Sequence, residues 1–169
     1  MMELQEWKKM VAAPVADLLR KSGFRKKGLR FSSHRDDATI HVDFQSSQTS
    51  DRFQLKITVN LSIRLSQLDR DPAIYAGEGH WRQRIGWFMA EPRDHWWLCR
   101  NDGEAWRAGE EIAAILERAA LPEMKRLASV EALKALWTTG RSPGLTEHQR
   151  IDYLRRLAGP AIEPVPDIS

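Results

Sequence analysis

The chain has 169 residues, 42% hydrophobic and 29% charged, proportions that suit one globular domain and enough buried surface for a core without metal or disulfide staples. Its single cysteine, Cys99, excludes an internal disulfide, and the lack of a long apolar run or a charged-then-apolar leader points to the cytoplasm rather than a membrane. The net charge of +3 is uneven: residues 1–35 hold nine Lys/Arg against three Asp/Glu, +6, which leaves −3 for residues 36–169.

In residues 3–22, Leu4, Trp7, Val11, Val15, Leu18 and Leu19 recur at three- and four-residue steps, which predicts a helix with one apolar stripe. Pro14 lacks the amide that would bond to Met10, so a kink or short break is expected near Ala13, and Gly23 supplies a left-handed stop. From Leu29 the period becomes two. Strands are expected at 29–34, 39–45 and 53–64, with short polar connections that favour antiparallel neighbours. In the third, Phe53, Leu55, Ile57, Val59, Leu61 and Ile63 alternate with polar residues, so one face is core and the other polar.

A long connection follows at 66–79, with one helical turn expected near Pro72, and its length points to mobility or function. Strands at 80–87 and 95–99 would complete a meander of about five strands. Period 3.6 then returns through Trp106, Ile112, Ile115, Leu116 and Ala119, giving a helix from 104 to about 120 capped by Asp102. Pro122 restarts the chain as a short helix. Ser129 and Thr146 cap two more, which carry Leu133, Leu136 and Trp137, and Tyr153, Leu154 and Leu157. The expected fold is α+β: an N-terminal helix and C-terminal helices packed on one face of the sheet, forming a single domain over 1–158 with a proline-rich extended tail at 159–169.

Several short pieces, taken in order and spacing, carry a family resemblance. These are Gly23-Phe24-Arg25-Lys26-Lys27-Gly28 followed by Phe31, Phe44-Gln45-Ser46-Ser47, Thr58-Val59-Asn60-Leu61, Arg84-Ile85-Gly86 and Trp96-Trp97. Over residues 3–127 the chain resembles the bacterial family called domain of unknown function 4304. That resemblance implies an α+β fold and a cytoplasmic bacterial protein, and it brings no activity or catalytic residue. Where the family often has glycine after the Asn-Leu pair, this chain has Ser62.

Strand alternation places Arg30, Ser32 and His34, then His41, Asp43 and Gln45, then Lys56, Thr58, Asn60 and Arg64 on one surface, which Arg82 and Arg84 would join. Guanidinium forks among amides and hydroxyls suit a polar or anionic ligand. The leading expectation is a non-catalytic ligand- or protein-binding module, its site formed by Gln45, Asn60, Arg82, Arg84, His41 and Asp43. Adjacent strand residues face opposite ways, so one indole of Trp96-Trp97 is expected in the core and the other at the polar face; Trp97 is assigned to the binding surface. A protein partner or a homodimer is the alternative occupant.

Two other readings remain. His41 and Asp43, two apart on one strand face, would serve an acid–base pair with Arg84 in a hydrolase or transferase, though no nucleophile in a strained turn accompanies them. The cluster Arg20, Lys21, Arg25, Lys26, Lys27 and Arg30, with Phe24 and Phe31 interleaved, would track a nucleic-acid backbone. Scattered histidines, one cysteine and no glycine run between a strand and a helix give no expectation of a metal or other cofactor.

Overall fold

A computed structural model of the protein describes residues 2–69 and 79–159. Helix α1 (Met2–Lys21) runs through Pro14 with no break, so the interruption expected near Ala13 does not occur. Its stripe of Trp7, Val11, Val15 and Leu19 is buried. The helix ends in a Schellman motif: Gly23, at φ +86°, lets its own amide bond to the Arg20 carbonyl and the Phe24 amide to that of Leu19. Phe24 is thereby turned into the core.

Among the described residues six strands follow, one more than expected: β1 (Arg25–Lys27), β2 (Arg30–Arg35), β3 (Ala38–Ser46), β4 (Leu55–Leu65), β5 (Trp81–Arg84) and β6 (Trp97–Cys99). All pairings are antiparallel, in the order β1-β2-β3-β4-β5. The last strand departs from a meander, because β6 returns to β4 and pairs Leu55, Lys56 and Ile57 with Cys99, Leu98 and Trp97. Strand β4 is therefore central, with one edge on β3 and the other shared by β5 and β6.

The predicted alternation holds along β4, where Leu55, Ile57, Val59, Leu61 and Ile63 are buried. Phe53 is the exception. It precedes the strand, in a turn where its amide donates to Asp51, and its ring is 67% exposed. The fourth expected strand is also shorter, ending at Arg84, after which Ile85–Phe88 form a 3-10 turn. Gly86 lies so close to the 93–95 segment that a Cβ there would stand 2.1 Å from the Arg93 carbonyl oxygen, and Arg93 N–H donates to the Gly86 carbonyl. The chain folds back on itself at that point, and the sheet cannot continue through it.

Helix α2 (Asp102–Ile115) is capped by Asn101, not by Asp102: the Asn101 side chain accepts from the Glu104 amide at 2.8 Å. Asp102 instead accepts from the Trp7 indole at 3.0 Å and ties α1 to α2. Their crossing is close, since a Cβ on Gly109 would lie 2.5 Å from the Val11 carbonyl oxygen and 3.1 Å from the Pro14 ring. A π-helical turn, Leu116–Ala120, leads into α3 (Leu121–Leu127). Ser129 caps α4 (Val130–Thr138), and a reciprocal Thr146–Gln149 capping box opens α5 (Glu147–Leu157).

The helices and the apolar sheet face share one core, from Trp7 and Val11 through Ile57 and Ile63 to Ile112, Trp137 and Tyr153. The connection between α4 and α5 also covers the outer edge of β5, where the Pro143 carbonyl accepts from the Arg82 amide at 3.3 Å. The long connection begins with a 3-10 turn, Ser66–Leu68. The helical turn expected near Pro72 and the tail after 159 lie outside the described residues.

His80 joins sheet and helices at the far end of β5. It is fully buried, accepts the Leu65 amide through Nδ1 at 2.9 Å, and meets the Tyr153 ring edge-on. Burial holds its pKa down to about 4, with Arg64 and Arg156 adding to the effect and Asp69 opposing it. The folded protein therefore takes up this proton less readily than the unfolded chain, whose histidine titrates near 6.5. The stabilisation is complete above pH 6.5 and is lost as pH falls towards 4. For His80 the loss at about pH 5 should be on the order of 2 kcal/mol. Urea unfolding at about pH 7.5 and about pH 5 checks this, and a His80→Gln variant should show a smaller decline between the two.

Candidate functional site

The strand register builds the polar face row by row. Lys27, Arg30, Asp43, Asn60 and Arg84 are successive cross-strand neighbours, and Arg25, Ser32, His41, Ser62 and Arg82 form the adjoining row. Gln45 stands opposite Thr58. Side chains on one face of such rows are close enough to pair, and several of them do.

At the β1 side, Arg30 Nε donates to Asp43 Oδ1 at 3.0 Å. Burial nonetheless raises the Asp43 pKa above its ordinary value, against the pull of Arg30. At the lower edge Arg64 is paired with Asp69. On β5, Arg84 Nη1 reaches both Asp94 carboxylate oxygens, at 3.0 and 2.9 Å, and its guanidinium lies 5.0 Å from the centre of the Trp96 ring. Lys56 stands 5.7 Å from the same ring. Asn60 Nδ2 donates to Gln45 Oε1 at 2.6 Å.

Arg82 differs. Among the described residues no carboxylate pairs with it, and its Nε is buried without a hydrogen-bond partner. The Oγ of its neighbour Ser62, a residue only 4% exposed, is likewise unpartnered, as is His41 Nδ1 one strand further on. Three consecutive members of one row thus hold buried polar atoms without partners, where native interiors leave few.

Arg82 and Ser62 line an open cavity of about 600 Å³ together with Gln45, Asn60, Arg84, Trp87 and Gly144. Gly144, from the α4–α5 connection, sits at φ +76°, and a Cβ there would lie 2.6 Å from the Arg82 carbonyl oxygen. Only glycine suits that backbone and that approach. Trp87, in the 3-10 turn after β5, adds an indole that is 49% exposed.

Of the residues singled out from the sequence, Gln45, Asn60, Arg82 and Arg84 come together around this cavity, and His41 and Asp43 share the sheet face but do not line it. Burial, aided by Arg30 and Arg64, brings the His41 pKa down to about 4. Trp97 is misassigned by the sequence. It is 6% exposed, its indole donates to Glu111 Oε2 at 2.8 Å, and the indole on the polar side is Trp96. The pairing of β6 with β4 decides which indole faces inward, because Trp97 stands opposite the core residue Ile57.

The basic cluster is divided. Arg20 and Lys21 both bond to Asp17, at 2.9 and 3.0 Å, Arg30 is held by Asp43, and Lys26 alternates to the opposite side of β1 from Arg25 and Lys27. Cys99 is buried, and burial pushes its thiol up to about 11, far from a thiolate at neutral pH. No group of His, Cys, Asp or Glu among the described residues is arranged to hold a metal ion. No described helix is long and apolar enough to cross a membrane.

Reasoning from the sequence did not select Ser62 or Gly144 as members of the site. Alternation already put Ser62 on the polar face. Nothing in the sequence signals that Gly144, 62 residues further on, reaches Arg82.

Compared with protein families, the chain matches Domain of unknown function (DUF4304) over residues 15–126, about two thirds of its length. It belongs to that family. Comparison with curated proteins and with solved structures gives no match. The pieces carrying the DUF4304 resemblance at Gln45, Asn60 and Arg84 adjoin across β3, β4 and β5. The α4–α5 connection that supplies Gly144 lies outside the DUF4304 match.

The two adjacent indoles give a direct check on this geometry. Trp97→Ala should cost about 3–5 kcal/mol, as emptying a core tryptophan site does, whereas Trp96→Ala should cost only about 1 kcal/mol, the value of exposed cation–π contacts. Urea midpoints of the two variants measure the difference.

Proposed function

We propose that this protein is a non-catalytic binding module for a small anionic ligand, held in the cavity on the polar face of its sheet. The observation that carries the reading is Arg82, a guanidinium whose buried Nε has no partner, beside an unpartnered Ser62 hydroxyl in the same cavity. Leaving buried donors unmade costs about 1–3 kcal/mol each, and a ligand oxygen would recover that cost. Charge-assisted bonds from arginine to carboxylate or phosphate are among the stronger polar contacts available. The cavity's size, about 600 Å³, falls within the range of small-molecule sites.

The surrounding charges support an anion-selective site. Arg84 is neutralised by Asp94, Arg30 by Asp43 and Arg64 by Asp69, which leaves Arg82 as the cavity's uncompensated positive charge among the described residues. The same pairing weighs against the hydrolase or transferase reading, since His41, Asp43 and Arg84 are not hydrogen-bonded to one another: Asp43 is bonded to Arg30, Arg84 to Asp94, and His41 Nδ1 has no partner. It weighs against the nucleic-acid reading too, where three of the six basic residues are already held by carboxylates.

Purified protein screened by thermal shift against small carboxylates, phosphates and neutral analogues should show saturable stabilisation by anions, because a ligand that prefers the native state raises the melting temperature by mass action. Arg82→Gln should abolish that shift, and an Arg25/Lys26/Lys27 triple alanine variant should retain it. Stabilisation that is insensitive to Arg82→Gln would place the anion elsewhere. A short oligonucleotide should give no mobility shift even at low salt.

A further inference from the structure

The cavity that is proposed to hold an anion has a second feature that an inorganic ion would leave unused. Trp87 lines it with an indole that is 49% exposed, although large apolar side chains in this chain are otherwise mostly in the core. Its place is fixed by the fold: β5 stops at Arg84, and the 3-10 turn Ile85–Phe88 is pinned by the close packing of Gly86 under Arg93, so Trp87 is carried on a tight, anchored turn. An aromatic side chain fixed at the edge of a polar cavity offers a flat apolar wall beside hydrogen-bonding groups. Small-molecule sites commonly combine those two components.

The polar end sets the charge of the ligand. Two donors are buried and unpartnered, Arg82 Nε–H and Ser62 Oγ–H, and one positive charge is uncompensated. Two donors and one charge match the two oxygens and single charge of a carboxylate. A phosphate monoester, near −2 at neutral pH, would bring a second charge, and the nearest additional guanidinium, Arg84, is already committed to both oxygens of Asp94. A neutral ligand would leave the Arg82 charge unanswered. The Asn60–Gln45 amide pair lines the same cavity and supplies further polar contacts to a ring substituent.

We infer that the ligand is a small aromatic monocarboxylate, its carboxylate on Arg82 and Ser62 and its ring against Trp87. This rests on the anion-binding reading of the same cavity and goes beyond it by naming the ligand's charge and its flat apolar body.

Isothermal titration calorimetry on the full chain with five probes tests it: 2-naphthoate, benzoate, acetate, phenyl phosphate and benzamide. The expected order places 2-naphthoate and benzoate ahead of acetate and of phenyl phosphate by about tenfold or more in Kd, with benzamide not binding. Arg82→Gln should remove binding of every carboxylate. Ser62→Ala should weaken it about tenfold, and Trp87→Ala should weaken the aromatic carboxylates about tenfold while leaving acetate unchanged. Trp106→Ala, which removes another exposed indole outside the cavity, should change nothing. Urea midpoints of each variant separate loss of binding from loss of fold, and Trp87→Phe, which keeps a flat ring, should retain most of the affinity.

If acetate binds as tightly as 2-naphthoate, or Trp87→Ala has no effect on either, the aromatic assignment is wrong and the anion site stands. If phenyl phosphate binds more tightly than benzoate, the single-charge argument is overturned. Equal binding of benzamide and benzoate, or no binding by any probe, removes both the aromatic carboxylate and the anion-binding reading beneath it.

Discussion

The structure depends on how strand β4 is paired. Nine of its 11 residues, Ile57–Leu65, are held along one edge by β3, and its other edge is divided, Leu55–Ile57 going to β6 and Asn60–Ile63 to β5. Backbone groups of a buried central strand must be satisfied on both sides, and here two separate pieces of chain meet that demand. Between those two pieces the chain turns away from the sheet, through Ile85–Phe88 and the loop to Trp97. At the gap, Thr58 donates from its hydroxyl to the His95 carbonyl at 2.8 Å. The divided edge brings Trp87, Asp94 and Trp96 onto the polar side and leaves a cavity where a continuous fifth strand would have left a flat sheet.

Electrostatic pairing then distinguishes Arg82 from Arg84, the other arginine that lines the cavity. Strands β1, β2, β4 and β5 contribute cations to a surface whose carboxylates are few, and Asp43, Asp69 and Asp94 each take one arginine. Arg82 is set apart by the α4–α5 connection, which closes over its backbone at Pro143 and Gly144, so that its amide is bonded and its carbonyl crowded while its Nε is buried without a partner. Helix α5 brings Tyr153 against His80 and Arg156 onto the Leu68 carbonyl at 3.1 Å. Packing that stabilises the end of the sheet thus also sets the wall of the cavity, although α5 and the α4–α5 connection lie beyond the part of the chain that matches DUF4304.

Most of what could be read locally was read correctly, the break near Ala13 and the Asp102 cap being the exceptions. The stripe of α1, the alternation through β3 and β4, and the caps Ser129 and Thr146 are properties of a few neighbouring residues, and local sterics and hydrogen bonding decide them. The polar face was legible for the same reason: period two assigns Gln45, Asn60, Arg82 and Arg84 to one side, and antiparallel neighbours bring them together. The other failures turn on what lies outside the segment. Phe53 continued an alternating pattern but fell in a turn, and Trp97 could be placed only after the partner of β6 was known. The strand β1, three exposed charged residues, carries no apolar signal at all.

The sequence by itself determined the fold class, the faces of the long strands and most helix boundaries, because those follow from periodicity within one segment. Tertiary structure alone decided that β6 returns to β4, that Trp97 is core and Trp96 is not, and that Gly144 stands over Arg82 across 62 residues of chain. Whether a polar atom is left without a partner is likewise invisible in sequence. It depends on the positions of all its neighbours at once, and only the folded chain sets these.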